Sequence, residues 1–208
     1  MKIHDYLNEI EHAVTTVIAE IHGEMTHLES LRQNLAKLTS ATEDSYRQAE
    51  FLAMNPDLDD DFLGTAIYWD TYFGVDKDRF RKNIETENVA QRVAAREFSV
   101  SALAGSLLQF GKQGISLRFG KKRNGCPEGR IVKGLLLHEI IWQGRNQALH
   151  WEDGTFHPPT EKCFESLAVN ADPLFGQYKY RNLAYEIISL LGWKSTDHFV
   201  KDMMLFDL

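Results

Sequence analysis

Two cysteines, Cys126 and Cys163, are all this 208-residue chain contains, and they form neither a disulfide framework nor a metal-ligand spacing. Nothing at the start resembles a secretory leader, because Lys2, Asp5, Glu9 and Glu11 already interrupt the first eleven residues. Nor does any apolar run approach the roughly 20 residues that span a bilayer. These absences lead us to expect a cytoplasmic protein without a membrane segment. A sustained strand-like alternation of apolar and polar residues is also missing, which argues against a large sheet. The formal net charge of -7 leaves no general excess of cations, so the chain is not built to coat nucleic acid without specificity.

What is present is apolar content in helical spacing. With 43% hydrophobic and 11% aromatic residues, the chain can bury one core, alone or with an appended arm. From Ile3 a four-three repeat runs through Leu7, Ile10, Val14, Val17, Ile21, Glu24, Leu28, Leu31, Leu35 and Leu38. This predicts a long helix with a narrow seam, on the order of 50 Å at about 1.5 Å per residue. Such a seam needs a partner, either later in the chain or in a second copy, and Gly23 beside Glu24 marks a possible kink.

Thr39, Ser40 and Thr42 predict a break and a new cap, with a helix to about Met54. Asn55, Pro56 and Asp57 predict a turn. Asp59, Asp60 and Asp61 fit the N-terminus of the next helix, where the macrodipole favours acids, better than a metal site. Phe62, Leu63, Ile67, Tyr68, Tyr72 and Phe73 continue that helix. After the charged stretch Asp76 to Arg81, the residues Phe80, Ile84, Val89 and Val93 resume the pattern. Glu97 to Phe119 suits another helix, in which Gly105, Gly111 and Gly114 either loosen it or admit a close crossing. Gly120 to Gly129 reads as a loop.

A stretch from about Glu128 to Gly154 organises the rest. Ile131, Val132, Leu135, Leu136, Leu137, Ile140, Ile141 and Trp142 cover nearly every direction of a helical wheel, which predicts a buried helix. Short helices follow over Thr160 to Leu167, Gln177 to Leu191 with Gly192 as C-cap, and Thr196 to Phe206 capped by Ser195. The fold class is therefore all-α, a helical bundle of about seven or eight helices with a long N-terminal helix. Residues 1–55 read as an N-terminal arm or hairpin and 56–208 as the bundle.

The central stretch ends in Arg145, Asn146, Gln147, Ala148, Leu149 and His150, an Arg-Asn-x-x-x-His motif. Given this chain's own composition, Arg followed five positions later by His arises about 0.4 times by chance, and roughly 0.02 times with Asn after the Arg. Polar groups ending a buried helix are costly unless they are paired or face a cleft. Upstream, Arg118, Lys121, Lys122, Arg123, Arg130 and Lys133 stand against the single acid Glu128, a local net charge of +5. That basic segment is either a solvated loop or a surface for RNA phosphates.

With these residues the chain resembles the HEPN superfamily, all-α domains that carry Arg-x-x-x-x-His, often with Asn after the Arg, on a helix at the edge of a bundle. The resemblance spans the helical core, about Asp59 to Leu191, and rests on the motif itself. It implies a metal-independent endoribonuclease of the toxin or defence type, with two copies meeting across a dimer interface. Arg145, Asn146 and His150 then form the catalytic set, without cofactor or metal, and RNA, a second copy and an antitoxin or other protein are the partners. Where catalytic members often have a tyrosine two residues after the histidine, this chain has Glu152.

The residues themselves suit that chemistry. An imidazole serves as acid or base near neutral pH, and a guanidinium offers a planar fork to phosphate oxygens. Asn146 is placed to orient His150 or to hold the phosphate. Arg145 and His150 are about 140° apart on an ideal wheel, so one helix does not readily aim both at one phosphate, whereas two helices about a two-fold axis can. Trp151, Phe156 and Tyr178 are candidates to stack on bases, or core aromatics. Other readings stay open. His150 can act as a C-terminal helix charge with Arg145 paired to Glu139 or another acid. His150, Glu152, Asp153 and His157 can be read as a metal site. The whole chain can also be a silent nucleotide- or protein-binding module, or a helical adaptor.

Overall fold

The computed structural model describes residues 1–54, 76–120 and 124–207. The turn expected at Asn55 to Asp57, the helix expected over Asp59 to Phe73, and Lys121, Lys122 and Arg123 lie outside them. Among the described residues there are six α-helices and one two-stranded ribbon, an all-α protein with a long N-terminal helix. They are α1 (Ile3–Met54), α2 (Asp76–Phe119), β1 (Ile131–Val132), β2 (Leu135–Leu136), α3 (Leu137–His150), α4 (Pro158–Asn170), α5 (Ala184–Leu191) and α6 (Thr196–Met204). No described helix is long and apolar enough to cross a membrane.

The chain divides into two units, one of Met1–Glu24 with Phe98–Leu208 and the other of Met25–Glu97. The first turns of α1, to Glu24, group with the C-terminal helices. Ile3, Tyr6, Leu7, Val14, Ile18 and Ile21 are buried, so this part of the heptad seam is covered within the chain. The Ile3 N–H donates to Asp207 Oδ1 at 2.9 Å, the Tyr6 hydroxyl donates to the Phe110 carbonyl at 3.0 Å, and Thr15 meets Thr196 hydroxyl to hydroxyl at 2.9 Å. The break expected at Thr39 to Thr42 does not occur and α1 is continuous there. The Thr39 hydroxyl donates back to the Leu35 carbonyl at 2.9 Å, so it serves inside the helix instead of capping a new one.

In the second unit, Leu28, Val89 and Val93 are buried, and Arg32 pairs with Glu97 at 2.7 Å. The charged stretch from Asp76 is the start of α2 and not an interlude.

The core of the first unit lies on α3. Leu137, Ile140 and Ile141 are fully buried, together with Leu107, Leu108 and Ile115 of α2, Phe164 and Leu167 of α4, and Leu183, Ile187 and Phe199. Each such side chain contributes about 1.5–3 kcal/mol relative to exposure. The glycines of α2 serve a close crossing. A Cβ on Gly111 would meet Ile141 at 3.1 Å, and one on Gly114 would meet the Tyr6 ring at 2.9 Å.

The helix expected to be apolar all round is shorter and has one buried face. Ile131, Val132, Leu135 and Leu136 form an antiparallel hairpin in which Ile131 pairs with Leu136 and Val132 with Leu135. Its two turn residues, Lys133 and Gly134, have φ of 51° and 83°, as a tight hairpin turn of right-handed twist demands. With those four residues removed, α3 turns Leu137, Ile140, Ile141, Gln143, Gly144, Gln147 and Ala148 inward.

Smaller boundaries move too. Helix α4 begins at Pro158, with prolines in its first turn, and not at Thr160. Helix α5 begins at Ala184, after a 3-10 turn over Pro173–Gln177. Gly192 ends α5 with φ of 72°, and the Ser195 hydroxyl accepts from the His198 N–H to start α6, both as expected.

Candidate functional site

Arg145, Asn146 and His150 all sit on the last turns of α3, but they face three surroundings. Arg145 lines a groove of about 550 Å³ in the first unit, walled by α2, the end of α3 and Trp151. Its Nε donates to the Gln109 amide oxygen at 2.6 Å, and its Nη1 lies 3.4 Å from Asn146 Oδ1. Neither Glu139 nor any other acid among the described residues forms a salt bridge with it. Burial pushes the Arg145 guanidinium below its ordinary pKa, with no opposing carboxylate. A half-buried cation held by neutral amides favours an anion at the groove, and the Glu152 carboxylate lines the same groove without forming a salt bridge to it.

Asn146 turns away from the groove. Its Nδ2 donates at 3.3 Å to Gln143 Oε1, which also accepts from the Thr160 hydroxyl at 2.8 Å. Asn146 thus ties Arg145 to a polar chain that ends in the buried Thr160, and it makes no contact that orients His150.

His150 is exposed and outside the groove, with Nδ1 3.3 Å from Asp153 Oδ2. Asp153 belongs to the 3-10 turn Trp151–Asp153, which continues α3 and is closed by Gly154 at φ 64°. One α3 therefore turns Arg145 and His150 to different surroundings. Asp153 is a partner that the motif alone does not reveal. The spacing of three at a helix end is the signal that finds it.

The intervening Gln147 is fully buried and holds the segment after the 3-10 turn. Its Nε2 donates to the carbonyls of Tyr178 at 2.8 Å and Arg181 at 2.7 Å, while its Oε1 accepts from the Leu183 N–H at 3.0 Å. Asn182, which lines the groove, is thereby set in place. Its own Nδ2 donates to the Ala148 carbonyl and its Oδ1 accepts from Ala184.

The basic residues do not behave as one surface. Arg130 is bound at Nε and Nη2 to both oxygens of the buried Asp202, at 2.7 and 2.8 Å, and Nη2 also donates to the Leu191 carbonyl at 2.6 Å. Asp202 in turn accepts from the Trp193 indole at 2.9 Å. That pairing raises the Arg130 pKa and commits the side chain to the fold, so we withdraw it from the RNA-contact set. Arg118 and Lys133 are exposed. Lys112, absent from that set, lies one turn of α2 from Gln109 with its Nζ 4.9 Å from the Trp142 ring centre.

Of the three candidate aromatics, Trp151 lines the groove. Tyr178 is buried and stacks on Phe164 at 5.4 Å, with Phe156 5.6 Å from it, so those two serve packing. Among the described residues, no three His, Cys, Asp or Glu side chains converge as metal ligands, and His150, Glu152, Asp153 and His157 do not form such a group. Compared with known protein-family models, curated proteins and solved structures, the chain matches none.

Proposed function

We propose that this chain is a metal-independent endoribonuclease of the HEPN type, in a toxin or defence role, that acts as a homodimer. The observation that carries the reading is the Arg145 guanidinium, half-buried at a groove and held by Gln109 instead of an acid. It supplies positive charge where a phosphorane gathers negative charge. His150 is exposed at the end of the same helix with Asp153 to orient it. In the reaction, a base takes the proton of the 2'-hydroxyl, its oxygen attacks phosphorus, and the bond to the 5'-oxygen breaks as an acid protonates it. The products are a 2',3'-cyclic phosphate and a 5'-hydroxyl. Two copies related by a two-fold axis bring an Arg145 and a His150 from different helices to one phosphate.

A silent nucleotide- or protein-binding module is the competing reading, favoured by the separation of His150 from the groove within one chain. Purified protein and His150→Ala are incubated with a mixed RNA pool in EDTA, and product ends are read by mass. Cleavage that leaves cyclic ends and is lost in His150→Ala is the expected result. A folded dimer that cuts nothing overturns the ribonuclease and favours the binding module.

A further inference from the structure

We infer that the Arg145 groove is a subsite for one unpaired nucleobase, seated beside the phosphate that Arg145 holds. The inference rests on the ribonuclease reading for the identity of the strand. Several polar groups of the lining are already satisfied by the protein. Gln109 Oε1 accepts from Arg145, the Ser106 hydroxyl donates to the Ala102 carbonyl, and both ends of the Asn182 amide are bonded to backbone. What the groove offers a ligand is therefore the Arg145 guanidinium, an apolar wall, and at its edge the Glu152 carboxylate with the polar groups of Ser101, Gln109 and Trp151, which suit the edge of a base.

That wall is flat where it is made of Ala102, Gly105 and Ala148, because the side chains there are hydrogen or methyl, and a Cβ on Gly105 would only touch Ala148 at 3.5 Å. Aromatic rings border it, among them Trp151 and Phe98, the latter 68% exposed and so available to a ligand. A flat apolar wall, aromatic edges and a single cation together fit a planar ring that carries an anion one sugar away. A base in a duplex is stacked and cannot enter, so the strand must be single there.

The test measures binding of adenosine 5'-monophosphate and ribose 5-phosphate by calorimetry, with decanoate as a second anion. Adenosine 5'-monophosphate should bind at least about tenfold more tightly than ribose 5-phosphate, and Arg145→Gln should weaken both. Ala102→Trp fills the groove from an exposed position, and should bring the nucleotide down to the affinity of the sugar phosphate. Leu149→Ser, on the exposed side of the wall, should reduce the same preference if the tryptophan variant does not fold.

Equal affinity for the two phosphates, no binding of either, or binding of decanoate alone overturns the subsite. A companion digest of a hairpin RNA separates the two ideas. Cuts confined to unpaired nucleotides support both, and equal cutting in the stem overturns the subsite while leaving the ribonuclease. Nucleotide preference without any cleavage removes the ribonuclease and keeps the subsite.

Discussion

The guanidinium of Arg145 rests on the amide oxygen of Gln109 at 2.6 Å, a neutral partner from a helix 36 residues earlier in the chain. A glutamine can hold an arginine's direction without cancelling its charge. The pair therefore fixes the cation and keeps it available to an anion, which a carboxylate in the same place would not do.

Replacing that oxygen by a charged one separates stability from function. Gln109→Glu should raise stability by about 1 kcal/mol through a charge-assisted bond. RNA cleavage should fall by about 10²-fold as the site is neutralised. Thermal melts and initial cleavage rates check the two effects, and a fall in both would show that Gln109 matters only for packing.

Asp202→Asn keeps the shape of the Arg130 and Trp193 network but removes its charge. Asp202 is buried and Arg130 is 39% exposed, so the loss should be about 2–3 kcal/mol, less than for a fully buried pair. Denaturant titration followed by Trp193 fluorescence measures it. RNA affinity per folded molecule should not change, which separates Arg130 from the phosphate-binding residues.

Two glycine substitutions should act in opposite directions. Gly114→Ala would place a Cβ 2.9 Å from the Tyr6 ring and 3.0 Å from Met203, and should cost about 1–3 kcal/mol. Gly23→Ala meets nothing within 4 Å on an exposed helical turn, and should gain about 0.5–1 kcal/mol. Paired melts decide both.

Gln147→Ala strands the carbonyls of Tyr178 and Arg181 and the Leu183 N–H in a buried place. The cost should be about 2–4 kcal/mol. Hydrogen exchange should quicken first at residues 178–183. Uniform acceleration over the whole chain would instead mean that the segment does not open by itself.

Alkaline pH should weaken the fold before any arginine titrates. Burial pushes the Tyr6 hydroxyl from 10.0 to about 12, and burial with the nearby Glu139 charge pushes the Cys163 thiol from 9.0 to about 12. Both groups have raised pKa values in the folded state, so their neutral forms are favoured there. Their contribution is fully present below pH 9.0 and is lost progressively as pH rises through about 12. Tyr6→Phe should lower stability by about 1 kcal/mol at pH 7, through loss of the bond to Phe110, and should flatten the decline above pH 10. Denaturant melts over that range test the slope.

Local signals were legible where local physics decides. Ser195 and Gly192 mark helix ends because a cap needs only its own neighbours, and the heptad seam from Ile3 predicts burial that α1 shows at Ile3, Leu7, Val14, Ile21 and Leu28. The hairpin at Ile131 to Leu136 was hidden because two short apolar pairs resemble one helical run. Its signal, Gly134 at a positive φ between them, is a single residue. Thr39 to Thr42 resembled a cap because threonine bonds backbone equally well from inside a helix.

At the candidate site, the placement of Arg145 on the groove could be reasoned from desolvation cost, but Gln109 and Gln147 could not. Glutamine has no characteristic spacing, and both act across more than 30 residues. Arg130 looked like part of a charged patch because Asp202, 72 residues later, is invisible to local charge counting.

The bond from Ile3 to Asp207 sets a timetable. The start of α1 is fastened by a residue made 204 positions later. At roughly 5–20 residues per second the Ile3 end of α1 waits about ten to forty seconds for that bond. Tyr6 meets Phe110 and Gly114 well before Asp207 is made, so α1 docks on its middle partners first and its opening turn is fastened last.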